Sequence, residues 1–183
     1  MLEKMHEIYE KNKNIEYGWK DKNGIIHSHI NEGFVKNFNF QTTDELLKSE
    51  AGNCWETVEL TRKELLENNI PCKAYFFVIP LNNFYCHSIA VAQIESKYYW
   101  VENSFKDMRG IHEFNSLEEI IFNVLNNFHK IVGNTNYNIK QMKIYEYEPP
   151  KTHISCIPFY FHCFRQKNIT KTYLDKYIKS IEE

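Results

Sequence analysis

Apolar residues recur along this chain at two spacings, and the switches between them outline its elements. From 54 to 68, Val58, Leu60, Leu65 and Leu66 alternate with Arg62, Lys63, Glu64 and Glu67. That is the stripe of an amphipathic helix, which Pro71 must stop. The run from Cys72 to Pro80 is β-branched and aromatic, hence a strand. A second strand follows over 87–94 after a loop at 81–85, and a third over 98–102. The turn at 95–97 is tight, so the last two should form an antiparallel hairpin. Pairing about its centre sets position 87 opposite about 105.

The flanks complete the outline. Residues 1–16 read as a polar helix with a stripe at Leu2, Met5, Ile8 and Tyr9, and Asp21-Lys22-Asn23-Gly24 reads as a hairpin turn. Residues 34–40 read as an aromatic connection. Thr42 with Glu45, and Ser116 with Glu119, have the spacing of helix capping boxes. Ile120, Ile121, Val124, Leu125 and Phe128 give the second of these helices its apolar face. Residues 106–110 and 134–138 read as loops, 142–148 as an edge or final strand, 153–164 as an aromatic irregular stretch and 170–181 as a closing helix. With no repeat, linker or shift in composition, 1–183 is expected to be one α+β domain.

Candidate chemistry sits on the joints of this outline. Gly52-Asn53-Cys54-Trp55-Glu56 delivers a cysteine to the first turn of the 54–68 helix. Free N–H groups and the helix dipole there favour thiolate over thiol. His87 begins one strand of the hairpin and Glu102 ends the other, so the two ends should be adjacent. Cysteine, histidine and an acidic or amide residue are the parts of a thiol nucleophile with an oriented base. Asn103 competes with Glu102 for the third position, because neighbouring strand residues face opposite sides. The backbone N–H of Cys54 or Trp55 is placed to receive an oxyanion.

Gly52-x-Cys54-Trp55, then His87, then Tyr99-Trp100-Val101-Glu102, resembles the transglutaminase-like branch of the papain-like fold. The likeness spans roughly residues 50–114, and the stretch from Tyr99 through Arg109-Gly110-Ile111-His112-Glu113 is similar to uncharacterised bacterial members. The resemblance implies a nucleophile helix packed on an antiparallel sheet, with Cys54, His87 and Glu102 as catalytic residues. It implies thiol-based acyl transfer or hydrolysis at an amide, on a peptide, a protein or a glutamine side chain. Arylamine N-acetyltransferases share the triad logic, which brings in a small acyl donor as the alternative substrate. A silent peptide-binding domain is the reading from another class. The superfamily usually carries aspartate where this chain has Glu102.

Composition narrows the rest. The 183 residues carry a formal net charge of −2 with interspersed signs, which gives no argument for nucleic acid or an anionic membrane surface. The start of the chain lacks the apolar core of a signal peptide, and no run is long enough to span a membrane. Five scattered cysteines, none in CxxC, fit free thiols in a reducing cytoplasm. No phosphate loop or dinucleotide fingerprint is present, so no cofactor is expected. His27 and His29 share a strand face without a third ligand. His153, Cys156, His162 and Cys163 match no zinc spacing, so no metal is expected either. Arg109 and His112 are expected to tie down the loop after Glu102, and Cys72 and Cys86 to be buried. Oligomeric state is left open.

Overall fold

The structure, a computed structural model, describes residues 1–80, 85–133 and 136–182. Helix α1 (Leu2–Asn12) leads to the short strands β1 (Glu16–Tyr17), β2 (Trp19–Lys20) and β3 (Ile26–His27). Then come helices α2 (Phe34–Asn37) and α3 (Thr43–Ser49), strand β4 (Ala51–Gly52) and helix α4 (Cys54–Glu67). The main strands are β5 (Cys72–Ile79), β6 (Tyr85–Ile94), β7 (Lys97–Glu102) and β8 (Gly110–Phe114). The rest is α5 (Leu117–Ile131), β9 (Lys143–Tyr147), α6 (Cys156–Phe164), β10 (Lys167–Asn168) and α7 (Thr170–Glu182).

Six strands form one antiparallel sheet in the order β10-β9-β5-β6-β7-β8. Strand β5 is central, and its near-continuous apolar run is explained by burial of both faces. Ala74, Phe76 and Val78 enter one core with Ala90 and Ala92 of β6, under α4 and α6. The alternate residues Tyr75, Phe77 and Ile79 enter a second core with Trp100, under α5 and α7. Alanine at 74, 90 and 92 removes bulk from the first face, which lets α4 lie close to the sheet.

The hairpin forms with Ile94 opposite Lys97 and Ala90 opposite Val101. Continued to the strand end, that register sets 87 opposite 104, one residue from the expected pairing. The Thr42 box is complete, with Glu45 N–H donating to Thr42 Oγ1 and Thr42 N–H to Glu45 Oε2. The Ser116 box is half formed: Ser116 Oγ accepts from Glu119 N–H, but the Glu119 carboxylate reaches Asn115 N–H. The turn at 21–24 closes β2 on β3 through Asp21 Oδ1, which accepts from the N–H groups of Asn23 and Ile25.

Several expectations need correction. The aromatic stretch 153–164 is not irregular: Cys156, Phe159, Tyr160 and Cys163 form the buried face of α6, with Pro158 tolerated in its first turn. Strand β9 lies between β5 and β10, so only two residues separate it from an edge. Strand β8 was not anticipated. It is a half-exposed edge strand without clean alternation. Residues 34–40 contain the short α2, and α1 ends at Asn12. Strand β6 starts at Tyr85, and 81–84 of the expected loop lie outside the described residues, as do 134 and 135 of the second.

Candidate active site

Cys54 is the first residue of α4, and the turn that presents it is fastened from both sides. Asn53 is the N-cap: its Oδ1 accepts from the N–H groups of Trp55 (2.9 Å) and Glu56 (3.3 Å). The Glu56 carboxylate returns the bond, accepting from Asn53 N–H at 3.1 Å and from Gln41 N–H at 2.9 Å. This capping box was legible in Asn53 and Glu56 but was not read from the sequence. It also removes Trp55 N–H from the expected oxyanion donors. Cys54 N–H remains, directed at its own sulfur.

His87 and Glu102 meet as expected. His87 Nε2 and Glu102 Oε2 are 2.8 Å apart, and both residues are buried. Glu102 Oε2 also accepts from Trp100 Nε1 at 3.2 Å, while Oε1 accepts from the N–H groups of Ser104 (2.7 Å) and Phe105 (2.8 Å). Burial alone would raise this carboxyl. The His87 charge and hydrogen bond and the two backbone N–H groups outweigh it and hold the pKa below its ordinary value. Asn103 faces away, donating from Nδ2 to Thr61 Oγ1 of α4 at 2.9 Å. Beyond it, Ser104 and Thr57 hydroxyls lie 2.8 Å apart and tie the end of β7 to α4.

Glu102 occupies Nε2 of His87, and Nδ1 has no hydrogen-bond partner among the described residues. No hydrogen bond links Cys54 to His87. The two line one cavity of about 270 Å³, with Ser104, Phe105 and Lys106. Cys54 also lines a larger cavity of about 390 Å³ with Asn53, Trp55, Cys156 and Tyr160, and Tyr17, Cys86 and Ile131 line both. Asn53 is 2% exposed and its Nδ2 is buried without a partner. Its orientation is fixed, because the cap needs the amide oxygen toward α4.

The expected low pKa of Cys54 is not found. Burial pushes the thiol well above its ordinary value, and the neighbouring Cys86 adds to this; the N–H of Ser88 opposes it, Glu102 adds a further rise, and the N–H of Cys54 itself also opposes. The helix N-terminus does not prevail because its N–H groups serve Asn53 before they serve sulfur. Cys86 points to the same face as Cys54, 3.2 Å from Tyr160 Oη, and is only partly buried. Cys72, Cys156 and Cys163 are buried.

A family model described as a transglutaminase-like domain matches residues 2–114. The chain belongs to that family. Neither the curated proteins nor the solved structures hold a match for it. The matched part of this transglutaminase-like domain ends with β8, and it contains Cys54, His87 and Glu102. Both cavities take walls from beyond it: Ile131 lines both, and Val132, Cys156, Ile157 and Tyr160 line the larger.

The other candidate residues are structural in their contacts. Arg109 donates from Nη2 to Ile15 O at 3.1 Å, so it ties the loop down through a backbone carbonyl and not through an ion pair. His112 Nε2 lies 2.6 Å from Met108 O. His27 stacks on Trp19, with ring centroids 4.1 Å apart, and pairs with Asp21. His162 Nε2 contacts Glu148 O while Cys163 is buried. No group of three or more metal-ligating side chains occurs among the described residues, and no described helix is long and apolar enough to cross a membrane.

Proposed function

We propose that this transglutaminase-like domain performs cysteine-dependent acyl transfer or hydrolysis at an amide carbonyl, with Cys54 as nucleophile, His87 as base and Glu102 as the group that orients it. The observation that carries the reading is the pairing of His87 Nε2 with Glu102 Oε2 at 2.8 Å, which leaves Nδ1 as the ring nitrogen without a hydrogen-bond partner, in a cavity that Cys54 also lines.

Burial raises the Cys54 thiol above its ordinary value, so its proton has to be taken up as sulfur attacks. His87 Nδ1 takes the thiol proton as sulfur bonds to the carbonyl carbon. The oxyanion that forms meets the N–H of Cys54 and Nδ2 of Asn53, a donor already buried and unsatisfied beside the sulfur. Imidazolium then protonates the leaving nitrogen, the C–N bond breaks and a thioester remains. Water or an amine, deprotonated by the same Nδ1, attacks the thioester and releases the thiol.

Alkylation of Cys54 by iodoacetamide, followed against pH by peptide mapping, tests this. His87→Ala should lower the wild-type rate by about a hundredfold at neutral pH. A profile of an ordinary thiol, the same in both proteins, would remove the enzymatic reading and leave a peptide-binding domain.

A further inference from the structure

Cys54 lines two adjoining cavities of different character, and the difference bears on what it attacks. The smaller holds His87 and Lys106; the larger has no charged side chain among its described residues. Its wall is aromatic and aliphatic, with Phe34, Trp55 and Tyr160 inside. At its rim stand Ile30, Val35 and Ile157, which are 48%, 50% and 40% exposed. Three solvent-facing aliphatic side chains converging on one cavity are unusual for a surface with no ligand to cover them. A volume of about 390 Å³ lies within the range of pockets that take small organic groups.

Chemistry assigns the two sides. A leaving nitrogen must lie where His87 can protonate it, on the side of the smaller cavity. The acyl side then falls to the larger one, which Asn53 also lines. We infer that the larger cavity binds the acyl half of the substrate, and that this half is a neutral apolar group, aromatic or branched aliphatic. The charge-free wall rejects an ionised side chain, which would lose its water without gaining a partner. This rests on the acyl-transfer reading above. Ile157 and Tyr160 come from α6, so the residues that select the acyl group lie outside the matched 2–114 region.

Affinity labelling tests the pocket without requiring turnover. N-benzyl iodoacetamide, iodoacetamide and iodoacetate are compared for the rate of modification at Cys54, each normalised to its rate with glutathione. Peptide mapping separates Cys54 from Cys86 and Cys156. The benzyl reagent should saturate and exceed iodoacetamide by about tenfold, with iodoacetate slowest. Val35→Glu and Ile157→Glu, both at partly exposed positions, should each abolish that preference, read as the ratio of benzyl to iodoacetamide rates so that a change in thiol reactivity cancels, while leaving the unfolding midpoint in place. Equal normalised rates, a preference for iodoacetate, a preference unchanged in both variants, or a Cys54 closed to every reagent would overturn the inference. His87→Ala separates it from the catalytic reading. That change should lower all three rates while the benzyl preference persists, so a retained preference with rates equal to wild type would keep the pocket and discard the enzyme.

Discussion

Gly52 shows how one residue sets the nucleophile's position. A Cβ there would stand 2.4 Å from Leu46 Cδ1 and 3.3 Å from Glu56 Oε2, so the chain can pass between α3 and the Glu56 carboxylate only without a side chain. Gly52→Ala should destabilise the fold by roughly 1–3 kcal/mol, read from urea unfolding, because the overpacked site must shift to accept it. An unfolding midpoint equal to wild type would show that Leu46 yields freely. Glu102 and Asn103 illustrate the same scale from the other direction. Strand alternation sends one to His87 and the other to Thr61, and the choice follows from which face of β7 each occupies.

At the level of the element, α4 rests on a buried carboxyl. Glu56 is 1% exposed, and burial pushes its pKa up to about 7 from an ordinary 4.5, against the N–H groups of Gln41 and Asn53 that favour the charged form. The native state therefore holds a proton that the unfolded chain has released. Its contribution to stability is complete below about 4.5 and is lost as pH rises to about 7, a fall of order 1–3 kcal/mol. Glu102 has the opposite sign. Its lowered pKa contributes above the ordinary value and is lost only in acid. Urea midpoints should thus decline between about pH 4.5 and 7, and Glu56→Gln should reduce that slope. Glu59, raised by burial in spite of Arg62, leaves a residual slope of the same sign. A wild-type midpoint that climbs through this window would contradict a protonated Glu56. Helix α6 teaches a different lesson. Its Cys156, Phe159, Tyr160 and Cys163 have helical spacing, but Pro158 and the aromatic content suggested irregular chain. The pattern carried the information and the composition obscured it.

At the level of the whole molecule, the matched region and the folded unit differ. Residues 2–114 carry Cys54, His87 and Glu102, but β5 needs β9 along one edge, and the second core needs α5 and α7. A chain ending at Phe114 would expose Tyr75, Phe77, Ile89, Val91 and Trp100 and leave the edge of β5 unpaired. It should show no cooperative thermal transition by circular dichroism and should bind ANS. A sigmoidal melt near that of the full chain would refute this. Both cavities depend on the same C-terminal residues, so the fragment should also lose the labelling preference at Cys54.

By itself the sequence determined the central elements, the hairpin register to within a residue, the start of α4 at Cys54 and the meeting of His87 with Glu102. These are written in local periodicity, in turn residues and in pairing about a short turn, which need no knowledge of the rest of the chain. Tertiary structure decided what those residues experience. The pKa of Cys54 is set by burial among Cys86 and the sheet and not by the helix terminus alone, the free Nδ2 of Asn53 appears only once its oxygen is committed to the cap, and the apolar cavity is assembled from segments 30–35, 53–55, 85–86, 131–132 and 156–160. Desolvation and cavity shape depend on what the fold brings near, and sequence distance does not encode that.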